Sequence, residues 1–421
     1  NNQYNADIMR VLILGYRGNP YCGGQGIYIY NLSRELAKLG VTVDVMVGPP
    51  YPDSLEEWAT VYKIENLNMW SIKTKDIPYE KLKRIFSPWN FLDYILTRLH
   101  MFPEMETFSF RAFFALEQIL KTKRYDLIHD IQSLGWATVP MKGYGIPVVT
   151  TVHHPLTKDR EADLQRNWGI WDKTTTILFY PLVMQGFVIR RVDRVITSFK
   201  EGVDELKKAF RVKKERVSVV YNGMDVDMFQ NTGEPREENA LLFVGNTEDT
   251  KKGLVYLFEA MTMLPEEVTL TIVDDGPPKK MTAGDLIKKY NLGHRVRFTG
   301  KLSYDQLVSI YSRKTILVMS SLFEGFGLPA VEAMSCKTPV VVTTSGSLKE
   351  VVSPDCGILV PPKDPVALKD AIMKLLKNKK MREKMGKNGR KWAVDNFSWP
   401  VAAKNTLEVY KDVIKEYRSR R

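Results

Sequence analysis

Two glutamates, Glu324 and Glu332, have seven residues between them in the segment 323–334, FEGFGLPAVEAM, with a Gly-Phe-Gly turn among those seven. Pro329 suits the first turn of a helix, so the spacing predicts a helix that begins around Leu328. Glu324 then lies on the loop ahead of that helix, and Glu332 lies about one turn inside it. Both carboxylates can reach a ligand at the helix N-terminus. Gly325 and Gly327 let the backbone approach closely, and free N–H groups together with the helix dipole favour a phosphate there. A carboxylate that accepts from two neighbouring hydroxyls suits a ribose or hexose diol. A helix start that simply favours acids accounts for the glutamates but not for the turn between them.

Such residues need a rigid frame, and the chain alternates strand and helix patterns throughout. The apolar run 11–14, VLIL, reads as a buried parallel strand. A glycine-rich loop (15–26) follows, then a helix over 27–39 that stops at Gly40. Further strands are predicted at 41–47, 127–129, 148–152 and 195–197. Residues 60–120 are richer in aromatics and less regular, the composition of an insertion or lid. A second series begins with a strand at 241–244, a helix at 253–263 and strands at 270–273, 296–298, 315–319 and 340–342. Both halves have the pattern of doubly wound parallel sheets. The break falls near 222–225 and the polar linker 230–239, QNTGEPREEN. In such folds ligands sit at the carboxyl ends of strands, so two facing domains imply a cleft.

At these residues the sequence resembles the retaining glycosyltransferases of family 4. That family has the GT-B architecture: α/β, with two Rossmann-like doubly wound domains facing across a cleft. The resemblance runs from about Met9 to Tyr410. It is carried in order by Gly23-Gly24-Gln-Gly26, Thr151-Val-His153, Tyr221-Asn-Gly-Met-Asp225, Val244-Gly-Asn246 leading to Lys252-Gly253, the Glu-x7-Glu segment and Phe397-Ser-Trp399. It implies an acceptor-side domain over 9–225, a donor domain over 226–398, and a helix over 399–421 that returns to the first domain.

Matched position by position, the resemblance assigns Glu324 to the donor sugar, Glu332 to the nucleotide ribose and Lys252 to the donor diphosphate. A cation suits that place, because negative charge grows on the leaving phosphate as the glycosidic bond breaks. Gly300-Lys301-Leu302 matches the turn whose backbone holds the base. The amides around Gly325, Phe326, Gly327 and Leu328 match the phosphate loop. His153 matches a histidine that faces the sugar, where a neutral imidazole hydrogen-bonds a hydroxyl or orients the acceptor. By type alone a histidine after an apolar strand is at least as often structural. His154 stands where the family more often has an acid. Gly24, in the loop 23–26, matches a glycine that faces the cleft; alone it fits tight strand–helix packing equally well. The sequence departs from the pattern at Asn246, where the family usually has a diphosphate-binding arginine, and at Asp274, where it usually has a glycine. Either Lys251 supplies the missing charge or the site operates with less of it.

The implied activity is transfer of a sugar from a nucleoside diphosphate sugar, UDP- or GDP-linked, to a hydroxyl of a glycan, lipid or small molecule, with retention at the anomeric carbon. No carboxylate pair flanks the bond as in a glycosidase. No DxD-like element stands out, and Asp274-Asp275 reads as a strand end, so the expectation is metal-independent catalysis without a cofactor. Two other readings fit the scaffold: a sugar epimerase or phosphorylase of the same architecture, and a weakly active nucleotide-sugar-binding protein, for which Asn246 is the hint.

Composition is that of a soluble globular protein, and 421 residues suffice for two ordinary domains: 44% are hydrophobic and 26% charged. Cys22, Cys336 and Cys356 form neither a disulfide framework nor a metal spacing. The most apolar stretch, 177–189, is broken by Pro181 and Gln185 and is too short to span a bilayer. With a polar 1–7 segment and a start fitting Met9, the expected location is the cytoplasm. The net charge of +12 fits nucleic acid, an anionic membrane or phosphorylated substrates. Eight of the positive charges lie in 377–391, on a predicted helix with a solvated face. No nucleic-acid platform accompanies them, so no nucleic-acid partner is expected. Basic and aromatic residues mix in 81–102 (Arg84, Phe86, Trp89, Phe91, Tyr94, Arg98). They mix again at Trp168, Trp171, Lys173, Phe179, Tyr180, Phe187 and Arg190. Such mixtures suit a peripheral lipid–water interface, and equally a core with a basic edge.

Overall fold

The structure, a computed structural model, describes residues 8–19, 24–66, 79–98, 103–153, 156–157, 160–161, 164, 169–274 and 282–420. Cys22, Gly23, His154, Trp168 and Asp275, named above, lie outside them, as does the end of the segment 81–102. The chain divides into two compact units, one running to Ser198 with Gly202–Val220 and everything from Ala402, the other comprising Phe199–Glu201 and Tyr221–Val401.

The first unit holds a seven-stranded sheet of β1 (Arg10–Gly15), β2 (Thr42–Val47), β3 (Ala59–Lys63), β4 (Leu127–Ile131), β5 (Val148–Val152), β6 (Arg194–Thr197) and β7 (Val217–Val219). Their order is β3-β2-β1-β4-β5-β6-β7 and every pairing is parallel. β1, β4 and β5 are buried along nearly their whole length, as central strands covered on both faces must be, with His129, Asp130, Thr150 and Thr151 as buried polar members of β4 and β5. Within 60–120, expected as an insertion or lid, the helix over 103–119 belongs to the core. The helix Pro103–Ile119 buries Met105, Phe108, Ala112 and Leu116 in the core of this unit, an apolar stripe at helical spacing. The second aromatic–basic group is partly internal too. Phe187 packs on Trp136 at 5.3 Å between ring centroids, and Arg190 donates to the Phe210 carbonyl. The C-terminal helix Trp399–Ser419 closes the unit: Tyr410 is buried against His129, and Arg418 pairs with Asp126 at 3.1 Å.

The second unit holds β8 (Ala240–Val244), β9 (Thr269–Val273), β10 (Val296–Phe298), β11 (Ile316–Met319), β12 (Val340–Thr343) and β13 (Gly357–Val360), in the order β10-β9-β8-β11-β12-β13 and again all parallel. Side chains alternate across it. Leu241 and Phe243 enter one hydrophobic layer with Leu257, Phe258 and Ile372, whereas Leu242 enters the other with Leu317, Met319, Tyr311 and Phe397. The strand order reverses between β8 and β11. In open α/β sheets that switch point leaves a crevice at the carboxyl ends of the strands. The basic segment 377–391 forms the start of the helix Lys379–Phe397, but it is not a purely solvated face. Arg382 donates to the carbonyls of Leu375 and Leu376, and Arg390 donates to those of Val226 and Phe229, so two of its charges tie elements together.

Candidate functional site

Three loops of the second unit, those after β8, β11 and β12, meet at the switch point. The loop after β8 is folded by its own side chains. The Gly245 N–H donates to the Val273 carbonyl at 3.0 Å, and the buried Asp274 carboxylate accepts from both the N–H (2.9 Å) and the hydroxyl (2.6 Å) of Thr247. Asn246 accepts the Glu248 N–H at 2.8 Å, a local turn that a short amide makes and a long guanidinium does not. Asp249 caps the short turn Thr250–Lys252 by accepting from the Lys251 N–H. The two departures noted in the sequence thus have structural work: Asp274 anchors the loop and Asn246 shapes it.

Gly253 then turns the chain at φ +62°, where a Cβ would overlap the Ser320 carbonyl oxygen. That close approach brings the loop after β8 against the loop after β11. The Ser320 hydroxyl donates to the Lys252 carbonyl at 3.0 Å, and the Leu322 N–H donates to the Lys251 carbonyl at 2.6 Å. The third loop is held as tightly. At Gly346 (φ +58°) a Cβ would overlap the Glu324 carbonyl oxygen, and the Ser347 N–H donates to that same oxygen at 3.1 Å.

This frame presents Lys252 and Glu324 to each other, Nζ to Oε2, at 2.8 Å. Their side chains are 19% and 13% exposed, so water screens the pair only partly. The Ser321 hydroxyl donates to the same carboxylate oxygen at 3.2 Å. Gly325 is open, with nothing within 4 Å of a Cβ built there. Gly327 adopts φ +86° ahead of the helix Leu328–Ser335, which carries Pro329 in its first turn and Glu332 further in. Between the glycines, Phe326 turns its ring into the core against Phe397 at 5.6 Å. Only its backbone remains for a ligand. Leu328 is exposed.

Glu332 accepts from the Tyr311 hydroxyl at 2.7 Å. Burial pushes its carboxyl up from 4.5 to about 7, and the tyrosine bond offsets only part of that rise. The residue nevertheless keeps part of its surface open to solvent. A carboxylate crowded by protein yet reachable is costly to ionise alone and favours an arriving hydroxyl donor. Tyr311, whose own hydroxyl is held well above its usual value by burial, belongs to the helix Tyr304–Arg313. That helix starts with a reciprocal Ser303–Gln306 cap just after Gly300, exposed Lys301 and half-buried Leu302. Ser321 and Tyr311 escaped the sequence reading. Ser321 is three residues from Glu324 and was legible in principle; Tyr311 is distant in sequence and carries no local signal. Lys251 places its Nζ 3.9 Å from Asp249. Among the described residues no group of three or more His, Cys, Asp or Glu could hold a metal ion.

Comparison with known sequences decides the family. Residues 22–228 match the family model of Glycosyltransferase Family 4, and residues 225–392 match that of Glycosyl transferases group 1. The chain is 34% identical over 418 residues to the MMP alpha-(1->4)-mannosyltransferase of Mycolicibacterium hassiacum, covering 96% of this chain and 98% of that protein. It belongs to the group 1 glycosyl transferases. A further relative is the D-inositol 3-phosphate glycosyltransferase of Corynebacterium diphtheriae, 27% identical over 421 residues, with 94% of this chain and 91% of that one covered. The fold agrees with that of sucrose-phosphate synthase from Thermosynechococcus elongatus (TM-score 0.71, 24% identity, 97% and 100% of the chains covered). It also agrees with that of HepE from Anabaena, solved with UDP (TM-score 0.67, 17% identity, 96% and 100% covered). Both units of this glycosyl transferase are therefore the parallel α/β domains of the GT-B architecture.

In the first unit of the glycosyl transferase, His153 follows β5 and meets the Tyr28 ring in a T-shaped contact, with centroids 4.7 Å apart and planes at 76°. Its backbone N–H donates to Gln132 Oε1 at 3.0 Å. Two residues back, Thr151 bonds the fully buried His129, whose other ring nitrogen meets the Tyr410 hydroxyl at 2.6 Å. Burial lowers His129 to about 3, so it is neutral at physiological pH. Gly24 opens the helix Gly24–Lys38, where Gln25 accepts the Arg17 N–H and donates to the Ile131 carbonyl.

Proposed function

We propose that this glycosyl transferase moves a sugar from a nucleoside diphosphate sugar to an acceptor hydroxyl with retention at the anomeric carbon. The observation that carries the reading is the pairing of Lys252 with Glu324 at the switch point of the second sheet, followed in the chain by the helix that carries Glu332. Lys252 offsets charge on the leaving diphosphate, assisted by backbone N–H groups of Gly325, Phe326, Gly327 and Leu328. Glu324 holds hydroxyls of the donor sugar, and Glu332 accepts from the ribose diol. The backbone of Lys301 and Leu302 meets the base. His153 and Gly24 serve the sugar and acceptor from the first unit, over about residues 9–225, and the donor unit extends over about 226–398. As the bond between the anomeric carbon and the diphosphate breaks, the acceptor oxygen attacks from the same face and its proton passes to a phosphate oxygen. A UDP- or GDP-sugar is the donor class, in keeping with the UDP and UDP-glucose bound to HepE. The acceptor is a glycan or a lipid-linked hydroxyl, and no metal takes part.

A screen of UDP-, GDP- and ADP-sugars with proton NMR of the product tests this. The account expects one donor class to yield a product of unchanged anomeric configuration at a rate that EDTA leaves nearly unaltered. An inverted product, or strict dependence on added Mg²⁺, contradicts it.

Asn246 offers a separate prediction. Asn246→Arg adds a cation beside the diphosphate but removes the turn bond to Glu248, a neutral bond of about 1 kcal/mol against about 1.5–3 for a charge-assisted one. Donor affinity, measured by calorimetry, should therefore rise several-fold with a slight loss of melting temperature. Lys251→Ala should lower turnover if Lys251 supplies the charge. Loss of donor binding in a folded Asn246→Arg protein means the turn itself contacts the donor.

A further inference from the structure

Two stretches that take no part in the candidate site, the linker 230–239 and the start of the basic run 377–391, meet around a cavity of about 290 Å³. Thr315 and Pro339 line it, each one residue ahead of its strand, β11 and β12, so it lies at the amino ends of the second sheet. The Lys252–Glu324 pair lies on loops at the carboxyl ends. The cavity is therefore separate from the donor site.

Its cations are bonded only to neutral groups. Arg236 donates from Nη1 to the Lys314 carbonyl at 2.6 Å and the Thr338 hydroxyl at 2.9 Å, and from Nη2 to the carbonyls of Cys336 and Lys337 at 3.3 and 2.8 Å. Arg382 spends only Nη1, on the carbonyls of Leu375 and Leu376 at 2.7 and 2.6 Å. Its Nε and Nη2 edge has no partner among the described residues. Burial, and the nearness of Arg382, hold the Arg236 guanidinium below its ordinary value. Exposed Lys337 and Lys379 add two more charges, and among the described residues none of these four cations pairs with a carboxylate. The helix Lys379–Phe397 adds to the excess: its first turn, at the positive end of the dipole, starts Lys379-Lys380 and holds no acid. Of the acids at the cavity, Glu237 is taken by Arg313 at 2.7 Å and Lys314 at 2.5 Å. Glu238 and Glu383 are exposed there.

We propose that this cavity binds a small phosphorylated sugar or polyol. The phosphate takes the unspent edge of Arg382 in the two-bond geometry that a guanidinium offers an oxyanion. Lys337, Lys379 and the helix N-terminus add positive charge around it. The hydroxyls go to Glu238 and Glu383, because an ionised carboxylate accepts from an O–H and repels a second phosphate. Unpaired cations beside unpaired acceptors thus favour a molecule that carries both a phosphate and hydroxyls over a bare anion. The volume is close to the lower end for ligand pockets, about 300 Å³, which suits a metabolite and not a polymer.

Calorimetric titration of the full-length protein with the 6-phosphates of glucose, mannose and fructose, with glycerol 3-phosphate, with inorganic phosphate and with free glucose tests this. At least one of the organic phosphates should bind about tenfold or more tightly than inorganic phosphate or glucose. Lys337→Glu with Lys379→Glu should weaken that binding by about tenfold or more. The melting temperature of the double variant without ligand should stay level or rise, since a glutamate at position 379 suits the helix dipole. Lys252→Ala, at the donor site, should leave the binding unchanged. Binding by none of the organic phosphates, equal binding of inorganic phosphate, or undiminished binding by the double variant overturns the inference. So does loss of binding in Lys252→Ala, which places the ligand at the donor site.

Discussion

Lys252→Ala should lower kcat by about 10²–10³, the loss seen when a preorganised group facing transition-state charge is removed. The donor KM should change much less, because diphosphate charge grows mainly as the bond breaks. The structure adds a second consequence. Without Lys252, the Glu324 carboxylate loses its ammonium partner and leans on the Ser321 hydroxyl at 3.2 Å, in a position where it is 13% exposed. A loosened Glu324 holds the sugar poorly, so Lys252→Arg, which preserves the pair with a longer reach, should recover part of the rate. Steady-state kinetics on folded variants reads both effects. A kcat for Lys252→Ala within about threefold of wild type means the lysine acts on the ground state or not at all.

Glu332→Gln should stabilise the protein and impair it. The carboxyl rises from 4.5 to about 7 on folding. Between those values the folded state binds the extra proton, so stability falls as pH rises through that window and is flat above it. A glutamine at this position carries no such penalty. Its gain is greatest above pH 7 and vanishes below about pH 4.5. At full effect it amounts to about 2–3 kcal/mol, reduced by the solvent the residue still touches, or a few degrees in Tm. Tyr311 retains an oxygen to donate to. Nucleotide binding needs the ionised carboxylate, so wild-type affinity should fall as pH drops below about 7, and the glutamine variant should bind about tenfold more weakly with a flatter pH profile. Calorimetry and melting curves from pH 5 to 9 measure both; a variant no more stable than wild type at pH 8 contradicts the burial argument.

Much of this was legible in the sequence, for physical reasons. Central parallel strands are covered on both faces, so β1, β8 and β12 appear as nearly uninterrupted apolar runs. β3, β7 and β13 were not read. The first two are short and partly exposed, without a continuous apolar run, and Gly357 opens the third. The helices Pro88–Arg98 and Pro103–Ile119 were not read within 60–120, because a helix that hides Asn90 and Asp93 breaks the periodicity on which such readings rest. At the candidate site, the helix start at Leu328 followed from Pro329 and the glycines. The anchoring of Asn246 and Asp274, the Lys252–Glu324 pair and the Tyr311 hydroxyl did not, because each depends on loops meeting across strands far apart in sequence. At Phe326 the motif speaks only for the backbone amide, and the place of the ring in the core follows from packing that the sequence does not show.

The separate duties given to the two glutamates are tested most directly by calorimetric titration of bare nucleoside diphosphate into Glu324→Gln and Glu332→Gln. Glu332→Gln should lose affinity for the bare nucleotide. Glu324→Gln should retain it or gain, since releasing Lys252 from its carboxylate partner frees the ammonium for phosphate, while its sugar-transfer rate collapses. Equal loss of nucleotide affinity in both variants, or loss in Glu324→Gln alone, contradicts the account.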